Sequence, residues 1–111
     1  MSRKPIKNYL RRYRLQAALS QSEVSELLGI SPNALSRYEL GLRVPPADVV
    51  IASAIVFGIS PATIFPALYN SVDEEISIRV LALQERLADR SDPAAFKKLA
   101  LINGIPNRLT H

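Results

Sequence analysis

Two side chains able to form paired hydrogen bonds, Asn33 and Arg37, lie four residues apart in the chain. An asparagine amide can bond an adenine edge at two points, and an arginine guanidinium can bond guanine in the same way. In a helix, residues four apart share one face, and Leu35 and Tyr38 would form an apolar edge on another face. The spacing therefore predicts a short amphipathic helix with one hydrogen-bonding face.

The residues before this helix predict how it is held. Ser20 and Glu23 fit the S-x-x-E pattern of a capping box, so an earlier helix should begin at about residue 21. Gly29 suits a residue with positive φ that ends this helix, and Ser31 followed by Pro32 marks the next helix start. The apolar stripe of the earlier helix is predicted to be Val24, Leu27 and Leu28. Two helices joined by so short a turn must cross steeply, as in a helix-turn-helix.

The composition argues against the common catalytic and metal sites. The chain has 111 residues, no cysteine and a single histidine, His111. No metal site, cofactor or catalytic residue is therefore predicted, and we do not expect an enzyme. The carboxylates Asp73, Glu74 and Glu75 fit a solvated first helical turn better than an acid/base pair.

The positive charge is concentrated in the first half of the chain. The formal net charge is +4, and up to Asp48 eight basic residues face four acidic ones, which already accounts for the whole excess. A basic half fits a polyanionic partner; a merely solvated basic face is the alternative.

Residues 49–72 contain no charged side chain, which raises the question of a membrane span. Gly58, Pro61 and Pro66 break this stretch into pieces too short for a bilayer, so no membrane association is predicted. A helix reading VVIASAIVF is apolar nearly all round and should be covered on more than one side. The first ten residues lack the apolar core of a signal peptide, and we expect a cytoplasmic protein.

From about Lys7 to Leu68 the chain resembles the Cro/C1-type (XRE family) helix-turn-helix DNA-binding domains. The residues that carry the resemblance are Gln21, Glu23, Gly29, Ser31, Leu35, Arg37, Glu39, Gly41 and Pro45. The resemblance implies an all-α fold, a five-helix lambda-repressor-like DNA-binding domain followed by one or two C-terminal helices. We place the DNA-binding domain at residues 6–68 and a helical extension, for dimerisation or partner binding, at residues 69–104.

The helices are expected at about residues 6–18, 21–28, 32–40, 46–57, 61–68, 72–90 and 93–103. Residues 69–72 are expected to form a joint, because Ser71 and Glu74 fit another capping box. The tail after Gly104 is expected to be frayed.

The resemblance also implies roles for individual side chains. Base contacts fall on Pro32, Asn33, Ser36 and Arg37. The resemblance implies a phosphate contact for Gln21 through its side chain and backbone amide. Phosphate contacts are also predicted for Ser31, for Arg43 and for Arg11, which could instead face solvent. Arg3 and Lys4 could contact the phosphate backbone or the minor groove as an N-terminal arm, the alternative being an untethered terminus. Arg14 is implied to pair with Glu39, the alternative being a solvent-facing arginine. Leu40 and Leu42 depart from the family, which often has polar or basic residues there.

A second apolar pattern follows the DNA-binding part. Ile76, Val80, Leu83 and Leu87 recur at heptad-like intervals of four, three and four. This seam could pack back on its own chain or against a second copy, and we predict a dimer.

Together these features predict a regulator that binds double-stranded DNA sequence-specifically, as a small repressor and a homodimer, with the C-terminal helices open to a protein partner. Two alternatives remain. One is an antitoxin that binds both DNA and a toxin. The other is a protein-interaction module that has lost DNA binding, which Leu40 and Leu42 would favour.

Overall fold

The computed structural model describes residues 7–109, and every regular element in that range is helical. The α-helices are α1 (Leu10–Gln16), α2 (Gln21–Leu28), α3 (Pro32–Glu39), α4 (Ala47–Phe57), α5 (Pro61–Ile64), α6 (Pro66–Ala88) and α7 (Pro93–Ile102), followed by a 3₁₀ turn at Ile105–Arg108. The predicted all-α fold is confirmed. The chain forms two compact units, with the division after Leu68.

The local start and stop signals around α2 and α3 act as predicted. The Ser20 hydroxyl accepts a hydrogen bond from the Glu23 amide at 3.0 Å, and the Glu23 carboxylate accepts one from the Ser20 amide at 2.9 Å. Gly29 ends α2 at φ 71°, and the Ser31 hydroxyl caps α3 by accepting from the Ala34 amide at 3.1 Å. Each such cap stabilises its helix by about 1 kcal/mol.

Helix α1 begins at Leu10, later than predicted, and the reason lies in Asn8. The side-chain oxygen of Asn8 accepts from the Leu10 amide at 2.9 Å, and its amide nitrogen donates to the Tyr38 carbonyl at 2.8 Å. Such side-chain bonds to the backbone compete with a helix continuing toward the N-terminus. Residue 6, where the helix was expected to begin, lies outside the described residues. The helix also ends early, at Gln16.

The interior of the first unit is an apolar cluster drawn from all five of its helical segments. Its buried members are Leu10, Val24, Leu28, Leu35, Tyr38, Val49, Ile64 and Phe65. The predicted stripe of α2 was wrong at Leu27, which is 57% exposed. Helix α2 contacts both α3 and α4, so its buried face is turned toward Ser25, which is 2% exposed and bonds the Ser22 carbonyl at 2.9 Å.

Helix α4 is apolar nearly all round but is not fully covered within the first unit. Ser53 is buried and its hydroxyl donates to the Val49 carbonyl at 2.7 Å, while Ile51 and Ile55 are exposed. Among the described residues no helix is both long and apolar enough to cross a bilayer.

The predicted joint at residues 69–72 was wrong. Helix α5 is a single turn, and α6 then runs unbroken from Pro66 to Ala88. Proline is tolerated in a first helical turn, and no glycine or proline follows it up to residue 72 to stop the helix. The S-x-x-E pattern at Ser71 and Glu74 therefore lies inside a helix, where no cap is needed.

The second unit packs α6 against α7 through a smaller apolar cluster. Val80, Leu87 and Ile102 are buried, and Ile76, Leu83, Leu99 and Ile105 pack against them. The side chains of Gln84 and Asn103 add a hydrogen bond of 2.8 Å between the two helices. Residues 105–108 form a 3₁₀ turn that joins the cluster through Ile105, so the prediction of a frayed tail was wrong for this stretch.

Candidate nucleic-acid interface

Helix α3 separates its apolar and polar residues onto different faces. Leu35 and Tyr38 are buried in the first unit, while Asn33 and Arg37, one turn apart, are exposed. Of the other two predicted base-contact residues, Pro32 is exposed and Ser36 is half-buried. The structure therefore places the predicted hydrogen-bonding pair together on an open helix face.

The C-terminal end of α3 is fixed by a buried ion pair with α1. The Arg14 Nε lies 2.6 Å from Glu39 Oε2, and Arg14 Nη2 donates to Glu39 Oε1 at 3.2 Å. The two side chains are 9% and 1% exposed. Arg14 also donates through Nη1 to the Leu19 carbonyl at 3.1 Å, so this arginine does not face solvent.

Gln21 joins the same network rather than pointing freely outward. Its side-chain nitrogen donates to Glu39 Oε1 at 3.0 Å, so one carboxylate ties α1, α2 and α3 together. Hydrogen bonds to an ionised group are the stronger kind, and a fully bonded buried network rigidifies its surroundings. The sequence-based phosphate role of Gln21 is therefore left to its backbone amide in the first turn of α2, where amides suit an anion.

The remaining predicted phosphate-contact residues are exposed where the structure describes them. Arg11 and Arg43 are exposed, and Ser31 is exposed while its hydroxyl oxygen caps α3. Within residues 7–109, the ion pairs are Arg14–Glu39, Arg79–Glu75 and Arg90–Asp92, so Arg11, Arg37 and Arg43 take part in none. Arg3 and Lys4 lie outside the described residues.

Sequence reasoning missed Asn8, which joins the segment before α1 to the last turn of α3. An asparagine before a helix often accepts a hydrogen bond from the backbone amide two residues on, as in an Asx turn, and its bond to the Leu10 amide could have been found on that basis. Its bond to the Tyr38 carbonyl spans 30 residues of sequence and has no local signal.

The apolar seam predicted for dimerisation is largely used inside the second unit. Val80 and Leu87 are buried in the cluster between α6 and α7, so they do not form a free surface. Ile76 and Leu83 pack against that cluster but remain partly exposed. The dimer seam therefore stays a prediction for Ile76 and Leu83 and is corrected for the other two.

A comparison with known families agrees with this geometry. Residues 10–64 match the family described as helix-turn-helix, a range that covers α1 to α5. No curated protein and no solved structure matches the chain. Over residues 10–64 the chain belongs to the Cro/C1-type (XRE) helix-turn-helix family, a family of DNA-binding regulators.

Proposed function

We propose that this protein is a cytoplasmic, sequence-specific transcriptional repressor that binds double-stranded DNA as a homodimer. The observation that carries the proposal is the exposed face of α3, where Asn33 and Arg37 lie one turn apart. The opposite face of α3 is buried, and Glu39 fixes its end. A side-chain pair held on so rigid a helix is well suited to read base edges.

The dimensions of α3 suit the major groove. With its side chains an α-helix is about 10–12 Å in diameter. The major groove is about 12 Å wide and admits an α-helix, whereas the minor groove is about half that width. We infer that Asn33 contacts adenine and Arg37 contacts guanine, with Pro32 and Ser36 giving van der Waals or weak polar contacts.

The phosphate contacts would orient the domain without reading sequence. Arg11 and Arg43 are exposed and outside the ion pairs of the described residues, so their charge is available to the DNA backbone. Ser31 and the backbone amide of Gln21 lie in the first turns of α3 and α2. Contacts of this kind set register and affinity, whereas base contacts set specificity.

The experiment that tests the proposal is selection of bound duplexes from a random library with the full chain. A homodimer should enrich an inverted repeat whose half-sites lie about 34–36 Å apart, one helical turn of DNA. Enrichment of a single unrepeated half-site would leave DNA reading intact and overturn the homodimer. The absence of any enriched sequence would overturn the proposed repressor function and favour a protein-interaction module. Leu40 and Leu42, which are exposed beside α3, would then be candidates for its contact surface.

The homodimer and the antitoxin alternative depend on the same surface of the second unit. Its large exposed side chains include Ile78, Leu81, Phe96 and Leu101, at 69%, 63%, 61% and 62% exposure. Exposed apolar side chains favour a protein partner where they form one contiguous patch, which we propose for these four. Sedimentation of the full chain separates the two readings, because a second copy gives a dimer by itself and a toxin leaves a monomer until it is added.

A further inference from the structure

A small cleft at the end of α3 is lined by two cations that are far apart in the sequence. Lys7, before α1, and Arg43, after α3, both line it, together with Asn8 and the apolar residues Val44, Phe65 and Leu68. Among the described residues, no carboxylate lines this cleft. Both cationic side chains are exposed.

The backbone around Lys7 is tied to the DNA-binding unit on two sides. The side chain of Asn8 donates to the Tyr38 carbonyl in the last turn of α3 at 2.8 Å. The amide of Tyr9 donates to the Ile64 carbonyl at the end of α5, also at 2.8 Å. These bonds hold Lys7 at the cleft without using its ammonium group.

The cleft is lined almost entirely by apolar atoms, so Lys7 and Arg43 border it with their stems. An anion at the mouth of the cleft would be attracted by both charged ends. The apolar lining can pack against the long stems of lysine and arginine while their charged ends remain in water. The cleft adjoins the C-terminal end of the helix that bears Arg37, so the nearest polyanion in the proposed complex is the DNA backbone.

We propose that Lys7 and Arg43 together bind one backbone phosphate that flanks the bases contacted by α3, and that Asn8 is the residue that positions Lys7. This inference rests on the proposed DNA binding and adds a contact to it. The phosphate carries no sequence information, so its contribution should be the same for every duplex that α3 can read.

The test is a scan of the selected duplex in which single phosphates are replaced by neutral methylphosphonates. For the wild type, one flanking replacement should weaken binding several-fold. In Lys7→Gln and in Arg43→Gln the same replacement should have a smaller effect, because one of the two cations that contact this phosphate is gone. In the double variant it should have little effect. Lys97→Gln, an exposed lysine of the second unit, is the matched control and should keep the wild-type pattern.

Salt dependence gives an independent readout. Loss of one phosphate contact lowers the slope of log K against log salt by about 0.9. The affinity ratio of wild type to the Lys7→Gln, Arg43→Gln double variant should therefore shrink roughly three- to fourfold between 50 and 200 mM salt, and the ratio for Lys7→Gln alone should shrink by less. Asn8→Ala changes no charge, yet it should also lower the slope of log K against log salt, because it releases Lys7. The slope is measured at a temperature where circular dichroism shows that the variant keeps its native helix content.

The outcomes separate the two levels of the proposal. If selection with the wild type enriches no duplex, DNA binding and this contact are overturned together. A wild type that binds, with Lys7→Gln unchanged in affinity, slope and methylphosphonate pattern, overturns only the shared phosphate. Sensitivity to different phosphates in Lys7→Gln and Arg43→Gln would also overturn it, and an unchanged slope in Asn8→Ala would remove the positioning role.

Discussion

The two units of the chain bury very different interiors. Among the described residues, the first unit encloses a cluster of eight buried apolar side chains and a charged network built on Glu39. Among the same residues, the second unit has four buried apolar side chains, and its ion pairs Arg79–Glu75 and Arg90–Asp92 lie at the surface. The comparison indicates that the first unit is stabilised mainly by a large interior of its own, whereas the second unit has a smaller interior of its own.

The largest expected effect comes from removing one member of the buried ion pair. Glu39→Ala leaves Arg14 charged and buried without its partner, and such a change costs about 3–5 kcal/mol. Glu75 forms an exposed ion pair with Arg79, and the two side chains are 59% and 70% exposed. Glu75→Ala should therefore lower the free energy of unfolding by less than about 1 kcal/mol.

Urea denaturation followed by circular dichroism measures both free energies of unfolding. If the two glutamate variants were destabilised equally, the contrast between an enclosed and a surface network would be wrong.

A second contrast uses two leucines of the same size. Leu35 is fully buried, and Leu35→Ala should cost about 2–5 kcal/mol because it removes apolar contacts and leaves a cavity. Leu81 is exposed, and Leu81→Ala should change the free energy of unfolding by about 0.5 kcal/mol or less. The measurement is made at low protein concentration, so that loss of a partner does not contribute. A large loss of folding free energy in Leu81→Ala at low protein concentration would show that Leu81 lies in an interior rather than on a binding surface.

A third prediction locates the partner surface by sedimentation of full-length variants. Leu81→Gln and Leu101→Gln place polar amides on the exposed face of the second unit and should shift a dimer toward monomer. Ile51→Gln and Ile55→Gln do the same on α4 of the first unit, and should leave the dimer intact. The reverse pattern would move the interface to α4.

The smallest expected effect is the pH dependence of the α2 cap. The backbone amide and then the hydroxyl of Ser20 donate to the Glu23 carboxylate and lower its pKa below the ordinary value of 4.5. A lowered pKa in the folded state contributes stability above the unfolded-state pKa, and this contribution is lost as the pH falls through the folded value. Thermal melting of Glu23→Gln should thus differ from wild type at neutral pH and converge with it as the pH falls below 4.5.

The control for that experiment is Glu26→Gln, which leaves the capping box intact and should show no such convergence. A difference between wild type and Glu23→Gln that stayed constant down to acid pH would show that the charge of Glu23 does not contribute to the cap.

Local signals predicted α2 and α3 well, because a helix cap depends on a few neighbouring residues. Ser20, Glu23, Gly29 and Ser31 define the bounds of α2 and the start of α3 with hydrogen bonds that span three or four residues. The same kind of signal failed at Ser71, because a capping pattern forms no cap when nothing stops the preceding helix.

Features that depend on distant contacts could not be predicted in this way. The bond from Asn8 to the Tyr38 carbonyl and the bond from Gln21 to Glu39 join residues 30 and 18 positions apart. Whether Leu27 or Ser25 is buried depends on the direction from which α4 approaches α2. The seam on α6 had a correct apolar pattern, but the pattern alone could not distinguish α7 from a second copy as its cover.

The central claim is that α3 reads bases through Arg37 and Asn33 while Arg43 binds the backbone. Parallel duplex selection with wild type, Arg37→Ala and Arg43→Ala tests it most directly. Arg37→Ala should lose preference at one base pair, by roughly 5- to 150-fold for the 1–3 kcal/mol of a paired contact. Arg43→Ala should keep the wild-type consensus and bind all sequences more weakly, with a lower salt slope. An unchanged consensus for Arg37→Ala would contradict the placement of α3 in the major groove.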